Sequence, residues 1–300
     1  MESIIADKKT FKYAYFPGCS LKSTSKEYDI SAREVASSLG VILKEIPDWT
    51  CCGATPAHLT MHILSIGLPV KILLQVKEMG ISEVVTCCAA CFSRLKFAND
   101  IMSKDQLHRE MVSRVLSKKY EGEVSVRHFL DVLVNEYGIE SISKKIVKPL
   151  KGLKVACYYG CLLVRPPEVT KFDDSEDPHF MDDLINVTGA EAISWPYKTE
   201  CCGASHSLSN TEIVLRLSND ILRFAKESGA DVVAVACPMC QSNLDLRQGE
   251  IEKRYETKIN LPVLYFTQLL GLALGAELKN LGLNMHLVNP FKILQEKGLL

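Results

Sequence analysis

The sequence lacks any strong imbalance of charge, because its 35 basic and 36 acidic residues leave a formal net charge of −1. These charges are spread along the chain, which disfavours a general nucleic-acid-binding role. Long apolar runs are also missing, and the longest are too short or too interrupted to cross a bilayer: Leu68 to Val76, Val232 to Cys237 and Leu269 to Gly275. The N-terminus, MESIIADKKT, has no basic region leading into an apolar core. We therefore expect no secretory signal and a cytoplasmic location.

Cysteine, in contrast, is abundant, with 12 in 300 residues. A disulfide framework is disfavoured, because disulfides are rare in a reducing compartment and mainly serve chains too small to build a core. This chain is long enough for two domains of about 150 residues each. Clustered cysteines in such a protein indicate metal binding or redox catalysis.

Ten of the twelve cysteines form two sets of five in the same order. Each set has a Gly-Cys pair, then Cys-Cys-Gly-Ala, then C-x-x-C, separated by long gaps. The first set is Cys19, Cys51, Cys52, Cys88 and Cys91, and the second is Cys161, Cys201, Cys202, Cys237 and Cys240. Cys87 and Cys157 have no cysteine counterpart in the other half, and we expect them to be buried or incidental rather than ligands.

Short apolar runs alternate with helical patterns, which predicts an α/β fold. The runs KYAYF, SEVVT, KVACYY and DVVAVA each end close to a cysteine. We predict two duplicated domains, each a small parallel sheet flanked by helices, related by a pseudo-two-fold axis. The first domain is placed at 1–149, the second at 150–276 and a C-terminal tail at 277–300. Because ligands bind beyond the carboxyl ends of parallel strands, both cysteine sets are expected to gather there.

Three local features carry predictions of their own. Residues 56–79 have a long helical pattern, which the segment 67–69 (Gly-Leu-Pro) is expected to break. A strand is predicted at Ala192 to Trp195. The apolar tail is expected to pack on the second domain, with docking to a partner subunit as the alternative.

Five thiols exceed the four ligands of a structural zinc site, and each set contains a single C-x-x-C. Adjacent side chains diverge on a strand or a helix, so the paired thiolates of Cys51 and Cys52 suit two irons of one cluster better than a single ion. Iron–sulfur clusters are therefore favoured, with zinc in one or both sites and a metal-free dithiol as alternatives. The wide spacing differs from that of ordinary ferredoxins.

The doubled pattern of Cys, Cys-Cys-Gly and C-x-x-C resembles the CCG domain family, and in particular the B subunits of heterodisulfide reductases from methanogens. The resemblance is carried by YFPGCSLKSTSKEYDISAREVASSLGV, IPDWTCCGATPAH, TECCGASHSLSN, CPMCQSNLDLRQ and LPVLYFTQLLGLALG. It implies that each five-cysteine set binds a noncubane [4Fe–4S] cluster. The implied activity, part of methanogenesis, is reduction of the coenzyme M–coenzyme B heterodisulfide to two thiols in one-electron steps. Cleavage of this disulfide between the two clusters is our mechanistic hypothesis. The implied partners are a flavin-bearing A subunit and an iron–sulfur C subunit, with a hydrogenase or formate dehydrogenase in the larger complex.

Such a substrate carries sulfonate, carboxylate and phosphate groups, so we expect a basic channel. The basic candidates near the cysteines are Lys22, Arg94, Arg165, Lys198 and Arg247. Lys198 stands out because its counterpart in the first repeat is Asp48, an asymmetry that would distinguish the two ends of the substrate. His58 and His206 are candidate proton donors near neutral pH. Each of these residues has a structural alternative, as a solvated surface charge or a structural histidine.

Two other functions compete with the heterodisulfide reductase. One is an electron-relay subunit whose clusters never meet substrate. The other is a CCG-domain oxidoreductase acting on a different disulfide or on an organic acid.

Overall fold

The structure, a computed structural model, describes residues 11–54 and 61–300. Eight strands form two four-stranded sheets in which every pairing is parallel. In the first sheet the strands are β1 Lys12–Tyr15, β2 Ile42–Glu45, β3 Glu83–Thr86 and β4 Ser125–His128, in the order β2-β1-β3-β4. In the second they are β5 Lys154–Tyr158, β6 Glu191–Ala192, β7 Val232–Val235 and β8 Val263–Tyr265, in the order β6-β5-β7-β8.

Helices connect the strands and cover the sheets. In the first half they are α1 Gly18–Leu21, α2 Lys26–Leu39, α3 His62–Glu78, α4 Ala89–Lys104, α5 Gln106–Leu116, α6 Phe129–Asp131 and α7 Ile139–Ser143. In the second half they are α8 Pro167–Thr170, α9 Phe180–Val187, α10 Thr211–Glu227, α11 Pro238–Asp245, α12 Gln248–Tyr255, α13 Phe266–Ala273 and α14 Phe291–Glu296. A π-helical stretch, Val132–Gly138, links α6 to α7, and short 3₁₀ turns occupy Ala204–His206, Leu278–Asn280 and Leu283–Met285.

The strands form where apolar and β-branched residues run together, and both sheet faces are covered. In β7 all four residues, Val232–Val235, are buried, as parallel strands with helices on both sides require. Crossover helices bring each new strand back beside the previous ones, so both sheets have the same order. The predicted α/β fold with two duplicated parallel sheets is therefore confirmed. The domain boundaries at 149/150 and 276/277 stay predictions.

The predicted helix break at residues 67–69 is wrong. Helix α3 runs without interruption from His62 to Glu78 with Pro69 inside it. Proline has no N–H to donate, so the carbonyl four residues earlier, that of Ser65, loses its usual helical partner. The Arg94 guanidinium from α4 donates to this carbonyl oxygen at 2.8 Å. A side chain distant in sequence thus donates the hydrogen bond to the Ser65 carbonyl that Pro69 cannot donate.

The strand predicted at Ala192 to Trp195 is mostly absent, because β6 contains only Glu191–Ala192. The backbone N–H of Ile193 still donates to the Val155 carbonyl at 3.0 Å. Beyond it, the indole N–H of Trp195 donates to the Cys157 carbonyl oxygen at 3.0 Å. Where the chain leaves the sheet, the Trp195 side chain therefore replaces a backbone N–H as the hydrogen-bond donor to β5.

The two halves pack closely through α2 and α13. The ring of Tyr28 stacks on that of Tyr265 with centroids 3.9 Å apart. Next to these rings, the hydroxyls of Ser31 in α2 and Thr267 in α13 lie 2.7 Å apart. The contact therefore combines stacked rings with a buried hydrogen bond.

The C-terminal tail packs on the second half of the chain. The Asp245 carboxylate at the end of α11 accepts the backbone N–H of Leu287 at 2.8 Å and that of Val288 at 3.2 Å. Leu281, Leu283 and Leu294 of the tail are fully buried, so core packing, the first of the two roles expected for the tail, is observed. Within residues 11–54 and 61–300, no helix combines the length and apolar character needed to cross a membrane.

Candidate metal centre

The strand ends bring the cysteines of each half together. Cys19 lies in α1, directly after β1, and Cys161 follows β5. Cys88, after β3, is the N-cap of α4, and Cys237, after β7, is the N-cap of α11. A helix N-terminus stabilises a nearby thiolate. The placement of thiols at the carboxyl ends of parallel strands follows the prediction from the sequence.

In the first set the thiols form a chain of contacts. The Cys52 and Cys91 sulfurs lie 3.3 Å apart. Cys51 contacts Cys52, Cys88 contacts Cys91, and Cys19 lies close enough to affect the charge on Cys51. The backbone N–H of Gly53 points at the Cys51 sulfur at 3.4 Å.

The second set repeats this arrangement. The Cys202 and Cys240 sulfurs lie 3.6 Å apart, Cys161 contacts Cys201, and Cys237 contacts Cys240. The backbone N–H of Gly203 points at the Cys201 sulfur at 3.3 Å. In each set of five, two cysteines reach the surface at least partly and three are buried.

The two sets also approach each other, because the Cys88 thiol lies close enough to the Cys237 thiol of the other half for each to shift the pKa of the other. His128 lies at this junction and is fully buried. Its Nε2 is 2.9 Å from the Cys87 carbonyl oxygen and 3.2 Å from that of Ala236. Burial lowers the pKa of His128 to about 4, so the ring is neutral near pH 7.

Two glycines leave room for the sulfurs. Gly18 and Gly160 precede the first cysteine of each set and have φ values of 72° and 66°. A Cβ at Gly18 would lie 2.9 Å from the Cys91 sulfur, and one at Gly160 would lie 3.2 Å from the Cys240 sulfur. The Gly-Cys pair in each repeat therefore has a steric reason, because the backbone passes directly over a thiol of the C-x-x-C.

Contact between thiols sets their ionisation. Hydrogen bonding to Cys52 raises the pKa of Cys51, and hydrogen bonding to Cys237 raises that of Cys88. Donation from Cys161 lowers the pKa of Cys201 to about 6. Neighbouring thiols therefore share protons, and a full set of thiolates requires positive charge among them.

The donor set fits a soft metal group. Thiols gathered in two complete sets, with backbone N–H groups directed at sulfur, are the ligands that iron–sulfur clusters take. Within the described residues, no three His, Cys, Asp or Glu side chains form a single-ion site. The ten cysteines of the two sets are the residues that could hold such a group.

The predicted histidines and Lys198 fall in different surroundings. His58 lies outside the described residues. His206 is exposed on the 3₁₀ turn after the second cysteine pair, and its charge contributes to lowering the pKa of Cys201. Lys198 is 7% exposed, and its Nζ donates to Asp177 at 2.8 Å, to the Pro178 carbonyl at 2.9 Å and to Asp182 at 3.1 Å.

These contacts occupy all three N–H groups of the Lys198 ammonium. Although burial opposes the charge, the Asp177 hydrogen bond and the Asp182 carboxylate raise the pKa of Lys198. Lys198 therefore anchors the polar segment 165–178 to the second cysteine loop. An anion-binding role stays a prediction, and would require one of these contacts to be exchanged.

The other basic candidates are also tied to protein acceptors. Lys22 pairs with Glu45 at 2.9 Å, and Arg165 donates to the Thr199 carbonyl at 3.3 Å. Arg247 donates to the Ser207 carbonyl at 3.1 Å and lies beside an open cleft. Arg94 donates to Ser65, and its charge contributes to lowering the pKa of Cys52.

The cleft lies between α1 of the first half and α11 of the second, and has a volume of about 420 Å³. Its polar lining consists of Ser20, Thr24, Ser207, Ser242, Asn243, Arg247 and Glu250, and the Glu250 carboxylate pairs with Arg247 at 3.7 Å. Ser20 follows Cys19 directly, so the cleft lies next to the cysteine sets. At the corresponding place in the other half, α8 packs against α4 and Phe172 packs on Phe92 at 6.0 Å.

Sequence reasoning missed His128 and Asn243. The Asn243 amide donates to the Cys202 carbonyl at 3.1 Å and approaches the Cys202 sulfur at 3.6 Å. Its position, three residues after the second cysteine of the C-x-x-C, matches that of Arg94 in the first half, and this alignment could have identified it. His128 carries no comparable signal. Cys87 and Cys157 are both fully buried, as expected.

Comparison with known proteins places these features in a family. The model of the cysteine-rich domain called CCG matches residues 13–96 and 155–245, which include all ten cysteines of the two sets. The 8-methylmenaquinol:fumarate reductase membrane anchor subunit of Wolinella succinogenes is 32% identical over 284 residues, covering 94% of this chain and 99% of that protein.

The B subunit of the ferredoxin:CoB-CoM heterodisulfide reductase of Methanosarcina mazei is 28% identical over 289 residues, covering 94% of this chain and 96% of that protein. A crystal structure of a hypothetical protein from Helicobacter pylori has a TM-score of 0.72 at 14% identity. That alignment covers 93% of this chain and 52% of the other, and it supports the fold alone.

Proposed function

This chain belongs to the cysteine-rich CCG domain family, and we propose that each of its two five-cysteine sets holds a noncubane [4Fe–4S] cluster. The observation that carries the proposal is that two complete sets of thiols gather at strand ends and meet at Cys88 and Cys237. Ten thiolates packed together need the positive charge of metal ions. When bound, the clusters would supply electrons one at a time.

The proposed reaction is reduction of the coenzyme M–coenzyme B heterodisulfide to two thiols, as in methanogenesis. Two electrons and two protons enter, the sulfur–sulfur bond breaks and two S–H groups form. The similarity to heterodisulfide reductase B subunits over almost the whole chain supports this substrate. The partners proposed on the same basis are a flavin-bearing A subunit and an iron–sulfur C subunit, with a hydrogenase or formate dehydrogenase in a larger cytoplasmic complex.

The cleft beside Arg247 is the proposed route for this substrate. Among its lining groups, the hydroxyls, the amide and the Arg247 guanidinium suit the sulfonate, carboxylate and phosphate oxygens of the heterodisulfide, which would compete with the Glu250 carboxylate for Arg247. It borders the turn of Cys19 and the N-terminus of α11, so a bound disulfide would be near thiols of both sets. His58 and His206 are the proposed proton donors, and Lys198 is a further candidate for substrate contact.

A second candidate function is electron transfer without substrate contact, in a complex of the quinol:fumarate reductase type. The 32% identity to the Wolinella succinogenes protein favours it. In that case the same cluster sites would serve as a relay between partner subunits, and the cleft would have no role in catalysis.

Metal analysis of protein purified without oxygen tests the cofactor. We expect about eight irons and eight sulfides per chain, as two four-iron clusters require. About four irons with one zinc would leave one cluster, and iron-free protein would overturn the proposal.

Thiol binding and turnover separate the two functions. We expect the reduced protein to change its paramagnetic spectrum on addition of coenzyme M, and to reduce the heterodisulfide with a viologen donor. An Arg247→Met variant should raise KM with little change in kcat, because it weakens substrate binding. A fully loaded protein with neither a spectral response nor turnover would favour the relay.

A further inference from the structure

His128 connects the two halves of the molecule beside both C-x-x-C motifs. It ends β4 in the first half, and its Nε2 contacts the carbonyl oxygens of Cys87 at 2.9 Å and of Ala236 at 3.2 Å. One carbonyl belongs to each half, and each belongs to the residue directly before Cys88 or Cys237. A single side chain therefore reaches the last peptide unit before the C-x-x-C in both sets.

The hydrogen bonds fix the orientation of the ring. The His128 Nδ1 accepts the backbone N–H of Leu130 at 3.2 Å, so Nε2 carries the proton and donates to both carbonyls. The ring is enclosed by Phe92, Phe172 and Phe266, with centroids at 6.0, 6.1 and 6.3 Å. With both nitrogens used and aromatic rings around it, the imidazole has no alternative orientation that keeps these bonds.

The two carbonyls fix the two cysteines. The Cys87 carbonyl and the Cys88 N–H belong to one planar peptide unit, so holding the oxygen also orients the backbone of Cys88. The same is true of Ala236 and Cys237. Sharing one donor keeps the two carbonyl oxygens within twice a hydrogen-bond length, and the Cys88 and Cys237 thiols that follow them lie close enough to shift each other's pKa.

We propose that His128 is a positioning residue that holds the Cys88 and Cys237 loops together and thereby fixes the separation of the two metal sites. This inference rests on the proposed function, in which each set holds a cluster. With Cys88 and Cys237 as neighbouring ligands, two bound clusters would be close enough to couple electronically. The corresponding residue at the end of β8 is Tyr265, which stacks on Tyr28 instead, so only the first half supplies the bridging side chain.

The test compares His128→Phe, which keeps a ring but loses the donor, with His128→Gln, whose amide can donate from a similar position. His286→Phe is the matched control, because it removes a second buried histidine that bonds to Gln241 and Gln268 instead. Each full-length protein is purified without oxygen. Iron content, melting temperature and the spin–spin interaction between the reduced clusters are measured.

We expect His128→Phe to retain iron at both sites but to lose the spin–spin splitting, leaving the sum of two isolated cluster spectra. His128→Gln should keep the splitting. His286→Phe should lower the melting temperature but leave the splitting unchanged. An iron-loaded His128→Phe protein with unchanged splitting would overturn the role of His128 and leave the cluster proposal intact.

Thiol crosslinking in metal-free protein tests whether His128 holds the Cys88 and Cys237 loops together when no cluster is bound. Diamide oxidation followed by peptide mass spectrometry gives the yield of the Cys88–Cys237 disulfide relative to Cys52–Cys91, a pair within one half. We expect this ratio to fall about fivefold in His128→Phe. A change of about fivefold in population is what the loss of one hydrogen bond typically produces. An equal ratio in both proteins would contradict the proposal even if iron analysis had already ruled out the clusters.

Discussion

The two halves of this chain agree at the thiols and differ around them. The sulfur pair Cys52–Cys91 at 3.3 Å is repeated by Cys202–Cys240 at 3.6 Å, with a glycine N–H directed at the preceding sulfur in each half. The sheets also have the same strand order. The duplicated part is therefore the part that holds the proposed clusters.

The differences between the halves lie in the residues that surround the thiols. Arg94 in the first half stands where Asn243 stands in the second, so a charge near Cys52 is replaced by a neutral amide near Cys202. Segment 165–178 packs into one inter-half space through α8, whereas the other space stays open as the cleft. A symmetric pair of metal sites in an asymmetric setting suits a ligand whose two ends differ.

Removing one thiol from either set should have the largest effect, because each cluster depends on its own set. We expect Cys52→Ala and Cys202→Ala each to lose about four of eight irons and all heterodisulfide reduction. Cys157→Ala is the control, since this buried thiol belongs to neither set. Iron and sulfide analysis gives the measurement. Loss of all eight irons from a single substitution would show that the halves do not load independently.

Adding a methyl group at the first glycine of each set should sharpen the comparison. At Gly18 the new Cβ would lie 2.9 Å from the Cys91 sulfur, and at Gly160 it would lie 3.2 Å from the Cys240 sulfur. We expect both alanine variants to lose iron from one set, and Gly18→Ala to lose more. Gly40→Ala is the matched control, because Gly40 has a similar φ of 76° and nothing within 4 Å of an added Cβ. Equal iron loss in all three would mean that backbone strain, rather than contact with sulfur, is responsible.

The strands and the position of the thiols at their ends could be predicted from the sequence because both depend on local sequence patterns. Short apolar runs ending on Gly-Cys or C-x-x-C predicted both the strands and the gathering of thiols at their ends. The predicted helix break and the predicted strand at 192–195 were wrong because side chains made hydrogen bonds to residues distant in sequence, which local patterns do not reveal. Arg94 satisfies the carbonyl that Pro69 leaves free, and the Trp195 indole takes an acceptor on β5. His128 could not be predicted, since its partners are brought together only by the packing of the two halves.

A pH titration probes the contact between the halves, where Glu27 of α2 is 3% exposed against the tail. Burial raises the pKa of Glu27 to about 7, with a smaller contribution from the charge of Asp245. A carboxyl whose folded pKa is raised adds stability below its unfolded pKa of about 4.5, and this is lost as pH rises through about 7. Glu27→Gln should therefore be more stable than wild type at pH 8, by roughly 3 kcal/mol. Denaturant unfolding at several pH values gives the difference, and a gain that persists at pH 4.5 would exclude this explanation.

Substituting Arg94 should have the smallest effect, because it changes one partly exposed charge and leaves every thiol in place. The guanidinium favours negative charge near Cys52, so its loss makes reduction of the first cluster harder. We expect Arg94→Gln to lower the midpoint potential of the first site by about 59 mV, a tenfold change for a one-electron couple. Arg94→Lys keeps the charge and should leave the potential nearly unchanged. Potentiometric titration followed by paramagnetic resonance resolves the two sites. The second site, with Asn243 in the matching position, should not move, and an equal shift at both would mean that Arg94 acts through the fold of α3 and not through its charge.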